Sequence, residues 1–295
     1  MSEPGLFTFP FMQHAFLGCF LVSLLAGSLG WFMLLRRQAF AAHALPHIGF
    51  SGAAAAVWLH LPPLTGMMAA SMMGGLFMGQ EKQGRGHPAQ RDTMTGLILA
   101  ASLGIGVWCL HEANEASSQT TTLLFGDVLG LDMPTLGLLA GLVAICLAGL
   151  AVLWRPLLFI SLSPSLAEAQ GLSSTRLGQL FLLLAALASA ACAEIAGALL
   201  CFSLMIGPAS AALKLGLSPA RGILCSVLGA LLLSWGGLIL SWYSDIPLPF
   251  WISLGGVNLY LLASLIMKRR ARQKTPLRTI RNPSCSPVSD GKREA

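Results

Sequence analysis

RRQAFAAHALPHIGFSGAAAAVWLHL, from Arg36 to Leu61, is the stretch whose reading decides the fold. Two arginines close one apolar segment and another begins at once. His43 and His47 stand four residues apart at its start, one helical turn, so they share a face. Gly49, Ser51, Gly52 and Ala53 to Ala56 follow, a small-residue wall that neighbouring helices can approach closely. Imidazoles at the mouth of a membrane helix are costly to bury without a purpose. The stretch points to a multispanning membrane permease for a soft or borderline divalent cation.

The composition agrees. Hydrophobic residues make up 55% of the 295-residue chain and charged residues only 10%, against about 25% charged in a soluble domain. Apolar runs near the ~20 residues that cross a bilayer recur throughout. They lack the alternation of barrel strands, so the fold class is all-α, a polytopic helical membrane protein. The formal charge of +6 is explained by where the basic residues fall and not by nucleic acid. Six of the seven cysteines lie in apolar segments without CxxC spacing. They read as small hydrophobes, not as disulfide or zinc-thiolate scaffolding. The amino end MSEPGLFTFPFMQ has no basic n-region, so no cleavable signal peptide is expected.

Residues 1–13 read as an extracytoplasmic lead, 14–267 as the transmembrane domain and 268–295 as a basic cytoplasmic tail, expected to be disordered. Spans are expected at 14–35, 42–60, 64–79, 93–111, 135–154, 222–242 and 250–267, with 177–213 forming two short spans broken around Ala193 to Gly197, or one kinked pair. The count is therefore eight or nine. Gln80 to Asp92 reads as a loop. Leu123 to Leu129 reads as a short interfacial helix. The connection 156–176 is too polar to span and too patterned for a plain linker. A short helix from Ser165 to Gln170 is expected there, capped by Ser163 and stopped near Gly171.

With nine spans and the amino terminus outside, all 18 Lys and Arg residues fall on the inside. The acidic Glu3, Glu112, Glu115, Asp127, Asp132 and Asp245 fall outside, with Glu194 at an outer turn. This partition follows the positive-inside rule and implies a cell membrane of bacterial type, with the carboxyl terminus cytoplasmic.

The principal candidate metal ligands are His43 and His47, since neutral imidazole suits zinc and similar ions. Two ligands per chain bind weakly, as transport requires, and two copies facing a shared pore would supply four. The plain alternative is a hydrogen-bonded helical cap. His60, His111 and Glu194 are weaker candidates, at the outer ends of apolar segments where solvation is the ordinary reading. His14 and His87 read as solvated. No HExxH, GxSxG or P-loop occurs, so the chain is not expected to be an enzyme. Active uptake would need a separate ATPase, for which 156–176 is the natural grip.

Four stretches taken in order carry a resemblance: LRRQAFAAHALPHIGFSG at 35–52, LLFGDVLG at 123–130, ISLSPSLAEAQGLSSTR at 160–176 and GALLCFSLMIGPASAALKLG at 197–216. The chain resembles the permease subunit of zinc- and manganese-uptake ABC importers, the ABC-3 family, over about residues 12–268. The resemblance implies a type II-like importer permease: a homodimer around a central pore, with two cytoplasmic ABC ATPase subunits docked on the loop bearing Ser163, Pro164, Glu168 and Gly171. It also implies an extracytoplasmic metal-binding protein that delivers the ion, with ATP used in the partner subunits. No cofactor is implied in this chain, and Zn(2+) or a similar divalent cation is the cargo. Many members carry an aspartate four residues before a histidine, and His43 stands where that aspartate lies. Imidazole in place of carboxylate favours zinc over manganese. The alternatives are another ABC cargo (manganese, iron, siderophore or cobalamin), a secondary metal transporter, or a membrane scaffold.

Overall fold

The structure is a computed structural model and describes residues 9–79, 88–113 and 124–274. Its helices are α1 (Pro10–Leu35), α2 (Ala39–Trp58), α3 (Pro63–Gly79), α4 (Pro88–Glu112), α5 (Met133–Leu162), α6 (Pro164–Ala169), α7 (Ser174–Lys214), α8 (Pro219–Ser244) and α9 (Leu248–Lys274). Six of them (α1, α4 from Asp92, α5, α7, α8 and α9 as far as Arg270) are long and apolar enough to cross a membrane. At ~1.5 Å per residue, the 20-residue α2 also matches the ~30 Å thickness of a hydrocarbon core.

α1 and α7 form the centre. Leu25, Leu29, Phe32 and Phe181 are fully buried between them. α7 is flanked by α2, α3, α8 and α9, while α4 packs against α2, and α5 against α1 and α7. Close approaches rest on glycine. A Cβ at Gly52 would meet the carbonyl oxygen of Gly66, and one at Gly66 would meet that of Gly52. α2 and α3 therefore touch backbone to backbone, as small residues permit in membranes.

α7 is two helical arms meeting at Gly197, whose φ of 76° and ψ of 159° are not helical. The chain turns back there: Cys201 Sγ lies 3.9 Å from the Ser189 carbonyl oxygen, whereas a straight helix would separate residues 12 apart by about 18 Å. The break falls at the end of the expected interval, Ala193 to Gly197. The turn is covered by Leu124, Phe125 and Gly126.

Contacts sort the helix ends into two layers. At the basic end the Arg36 guanidinium lies 5.4 Å from the Phe181 ring centroid, Phe32 meets Trp154 edge-on beside Arg155, and Lys214 Nζ lies over Tyr260. At the opposite end His14 Nδ1 pairs with the Leu131 carbonyl oxygen at 3.0 Å, and Phe9 meets Trp242. Asp132 caps α5 there by accepting from Thr135 N at 3.1 Å, and hydrogen bonds from Thr135 hold its carboxyl below the usual carboxylate range.

Several boundaries differ from the sequence expectation. α1 begins at Pro10, because proline suits the first helical turn. α5 runs on through Arg155 and Pro156 to Leu162, so the connection after it is shorter than 156–176. α4 begins at Pro88, inside the expected loop, whose residues 80–87 lie outside the described ones, His87 among them. Helix near 123–129 ends by Phe125, and 126–132 is irregular. His14 is half-buried and bonded, not solvated. α9 continues to Lys274, and residues 275–295 of the tail lie outside the described residues, as do residues 1–8.

Gly197 occupies backbone space essentially restricted to glycine, which costs other residues on the order of 1–3 kcal/mol, and a Cβ there would also strike the Leu124 carbonyl oxygen. Gly171 has φ of +80° but open space around it; alanine there carries only the left-handed cost of about 1–2 kcal/mol. The Gly197→Ala chain is expected to lose more thermal stability in detergent than Gly171→Ala. An equal or smaller drop in the unfolding midpoint would refute the tight turn.

Candidate metal-binding site

α2 enters the core at its third residue and is buried almost without interruption from Ala41 to Ala54. His43 and His47 lie within this run. Their ring centroids are 4.8 Å apart at an interplanar angle of 71°. His47 is 9% exposed, and His43 is half-buried. The Nδ1 atoms of both are buried without a hydrogen-bond partner. A buried polar atom left unpaired costs stability, so two adjacent ones are an arrangement that a ligand would relieve.

Four residues shape the pair. Phe202, on the second arm of α7, meets His43 edge-on with centroids 5.0 Å apart. Pro46 lies between the two histidines inside the helix, and proline cannot donate to the carbonyl four residues back, here that of Ala42. Ser51 donates from Oγ to the His47 carbonyl oxygen at 3.2 Å, and Ser71 of α3 donates to that of Leu45 at 3.2 Å. Polar bonds thus hold the helix backbone while the imidazole Nδ1 atoms stay free. Sequence reading missed Phe202; the signal available was only an aromatic residue five positions after a glycine break.

The other candidates do not join the pair. His60 is exposed just beyond the carboxyl end of α2 with φ of 56°, about 20 Å along the axis from His47 at 1.5 Å per residue. His111 is exposed in the last turn of α4. Glu194 is half-buried, three residues before the Gly197 turn. Its neighbour Ala193 packs with Ala53 and Met67, and Ala198 packs with Phe50 and Ala54. Glu194 is thus placed beyond His47, toward the acidic end. Among the described residues no three His, Cys, Asp or Glu side chains are grouped to hold a metal ion. What one chain offers is two imidazoles.

The connection after α5 has the expected stop. α6 follows Ser163, whose carbonyl accepts from Ala167 N at 3.1 Å. Leu172 N returns to the Ala167 carbonyl at 3.0 Å across Gly171, the bond of a Schellman end with glycine in the left-handed position. Pro164 is exposed, and Ser163 is half-buried. Glu168 lies in α6. Leu162 and Leu166 stand 67% and 56% exposed on this basic-end surface. At the acidic end, Phe125, Asp127, Leu238, Ser241 and Phe250 line a pocket of about 540 Å³.

Comparison with known proteins gives a consistent picture. The ABC 3 transport family matches residues 8–267. The chain is 27% identical over 237 residues to the high-affinity zinc uptake system membrane protein ZnuB of Haemophilus influenzae, covering 80% of this chain and 90% of that one. It is 26% identical over 274 residues to the manganese import system permease protein ScaB of Streptococcus parasanguinis, covering 92% and 96%. A probable iron transport system membrane protein of Haemophilus influenzae is 25% identical over 264 residues, covering 90% and 96%. Among solved structures, PsaBC from Streptococcus pneumoniae in complex with Fab has a chain of the same fold, with a TM-score of 0.80 at 23% identity over 92% of this chain and 98% of that one.

The geometry makes a chemical prediction. Diethyl pyrocarbonate should modify half-buried His43 faster than His47 in the detergent-solubilised chain. Phe202→Ala should speed the reaction at His43 severalfold while His47 lags. Peptide mass spectrometry reads both sites, and faster labelling of His47 would contradict the described packing.

Proposed function

This chain belongs to the ABC 3 transport family, and we propose that it is the membrane-spanning permease subunit of an ATP-driven importer of a divalent transition metal, with zinc as the cargo. The observation that carries the metal assignment is the buried His43–His47 pair with both Nδ1 atoms unpartnered. The choice of zinc rests on ligand chemistry. Both side chains are imidazoles, which suit borderline ions, and neither is a carboxylate of the kind that suits manganese. The relatives divide between zinc, manganese and iron by name, so the ligand set is what favours zinc.

Two imidazoles fall short of the four ligands of a closed zinc site. A second copy across a pore would bring two more, and separation of the copies would release the ion. Such a site can fill and empty. The energy comes from two ATPase subunits at the basic, cytoplasmic end. Their grip is the α6 surface, where Leu162 and Leu166 are exposed around Ser163, Pro164, Glu168 and Gly171. An extracytoplasmic metal-binding protein delivers the ion at the acidic end, where Glu194, His60 and His111 are met before the pair. In this reading α7 crosses twice, the chain crosses nine times, the amino terminus lies outside and the protein resides in the bacterial cell membrane.

The test is ATP-driven metal uptake in proteoliposomes holding this chain, its co-purifying ATPase and its delivery protein. His43→Ala and His47→Ala are each expected to lower zinc uptake by about tenfold or more, the effect of ~1.4 kcal/mol of lost ligand stabilisation, with the ATPase still bound. Manganese or iron uptake without zinc uptake would remove the zinc assignment. No metal flux from an ATP-hydrolysing wild-type assembly would remove the metal reading altogether.

A further inference from the structure

The α7 hairpin encloses sulfur. Cys192 on its first arm and Cys201 and Met205 on its second are each 0% exposed. Cys201 Sγ lies 3.6 Å from Met205 Sδ, one turn along the same arm. Cys192 follows Ser189 by three residues on the first arm and interacts electrostatically with Cys201 across the hairpin. Ser189, whose carbonyl meets Cys201 at 3.9 Å, carries a fully buried hydroxyl without a partner. Buried cysteines are ordinarily small hydrophobes. Here three sulfur atoms from two arms converge beside an unsatisfied polar atom, which simple apolar packing does not require.

We propose that Cys192, Cys201 and Met205 form a binding site for a soft monovalent cation of copper(I) chemistry, which ties the two arms of the hairpin together. Thiolate and thioether ligands select copper(I). Zinc takes four ligands from Cys, His and carboxylate, and no third such group joins the two thiols among the described residues. On the scale of the zinc–thiolate bond of about 2.3 Å, two sulfurs on one ion lie roughly 4 Å apart, so the 3.6 Å separation of Cys201 and Met205 is of the order that a shared ion requires. On binding, one thiol S–H bond breaks and its proton leaves to water, that sulfur bonds the ion as thiolate, and two further sulfur–metal bonds form from lone pairs without loss of a proton. The cation and the single thiolate cancel, while the second thiol and the thioether bind as neutral donors. A neutral complex suits a dry interior, where net charge is expensive.

Silver(I) is the redox-inert probe. The full chain in detergent, kept reduced, is loaded with silver and dialysed against excess glutathione, which strips ions held by single thiols. Wild type is expected to retain one equivalent. Cys192→Ala and Cys201→Ala should retain none, while Cys109→Ala, a buried lone thiol in α4, should retain the full equivalent. Cys192→Ser and Cys201→Ser are carried alongside, with helical circular dichroism as the folding check, in case alanine loosens the packing. X-ray absorption of the silver-loaded chain should show sulfur neighbours alone. No retention by wild type, retention by the Cys192 and Cys201 variants, or a nitrogen shell from the His43–His47 pair would each overturn the proposal. The readout involves no transport, so it stands or falls separately from the metal-import reading.

Discussion

In hydrocarbon every backbone N–H and C=O must find its partner within the protein, because no water is there to supply one. A break in a membrane helix is therefore tolerable only where other protein covers it. The break at Gly197 meets this constraint by facing another at Gly126. Both have φ of 76°. A Cβ on Gly126 would strike the Ile195 carbonyl oxygen and Gly197 N, and a Cβ on Gly197 would strike the Leu124 carbonyl oxygen and Gly126 N. The two bare backbones interlock, and Leu131, farther along the same irregular stretch, is tied to His14 of α1. One end of the molecule is fixed by these contacts.

The position of the histidine pair follows. Turning back at Gly197 sends the second arm of α7 along α2, so that Ala198 packs on Phe50 and Ala54 and Phe202 reaches His43. α2 is held from the other side by the Gly52–Gly66 contact with α3. A helix gripped from two sides by small residues has little freedom to rotate. Its imidazoles are consequently presented in one orientation, with Phe202 lying edge-on against His43.

Much of this was legible in the sequence. Hydropathy, charge partition and the small-residue wall of α2 gave the helical membrane architecture, since length and composition respond directly to bilayer thickness. The break in 177–213 was visible because glycine after a run of helix formers marks a weak point. The turn back was not, since it depends on Gly126, 71 residues earlier in the chain. The His43–His47 pair was legible from i, i+4 spacing alone, but Phe202 was not, because tertiary contact leaves no local period. His14 was misread as solvated for the same reason: its partner is a carbonyl 117 residues away. The continuation of α5 through Pro156 escaped because a proline following an arginine usually signals an end, and here packing of Leu157 and Ile160 into the interior carries the helix past it.

The two groups of potential metal ligands differ in a way that transport chemistry explains. A conducting site must bind well enough to be entered and weakly enough to be left. In the proposed reading the two imidazoles, one of them half-buried, have that character, since each chain leaves the coordination shell unfinished. The three sulfurs of the α7 hairpin have the opposite character: they are wholly sealed and chemically suited to hold a soft ion without release. Placing them on the path would stall a borderline cation. In the proposed reading they stand off the ion path, one residue from it along the chain, since Phe202 follows Cys201 and meets His43 edge-on.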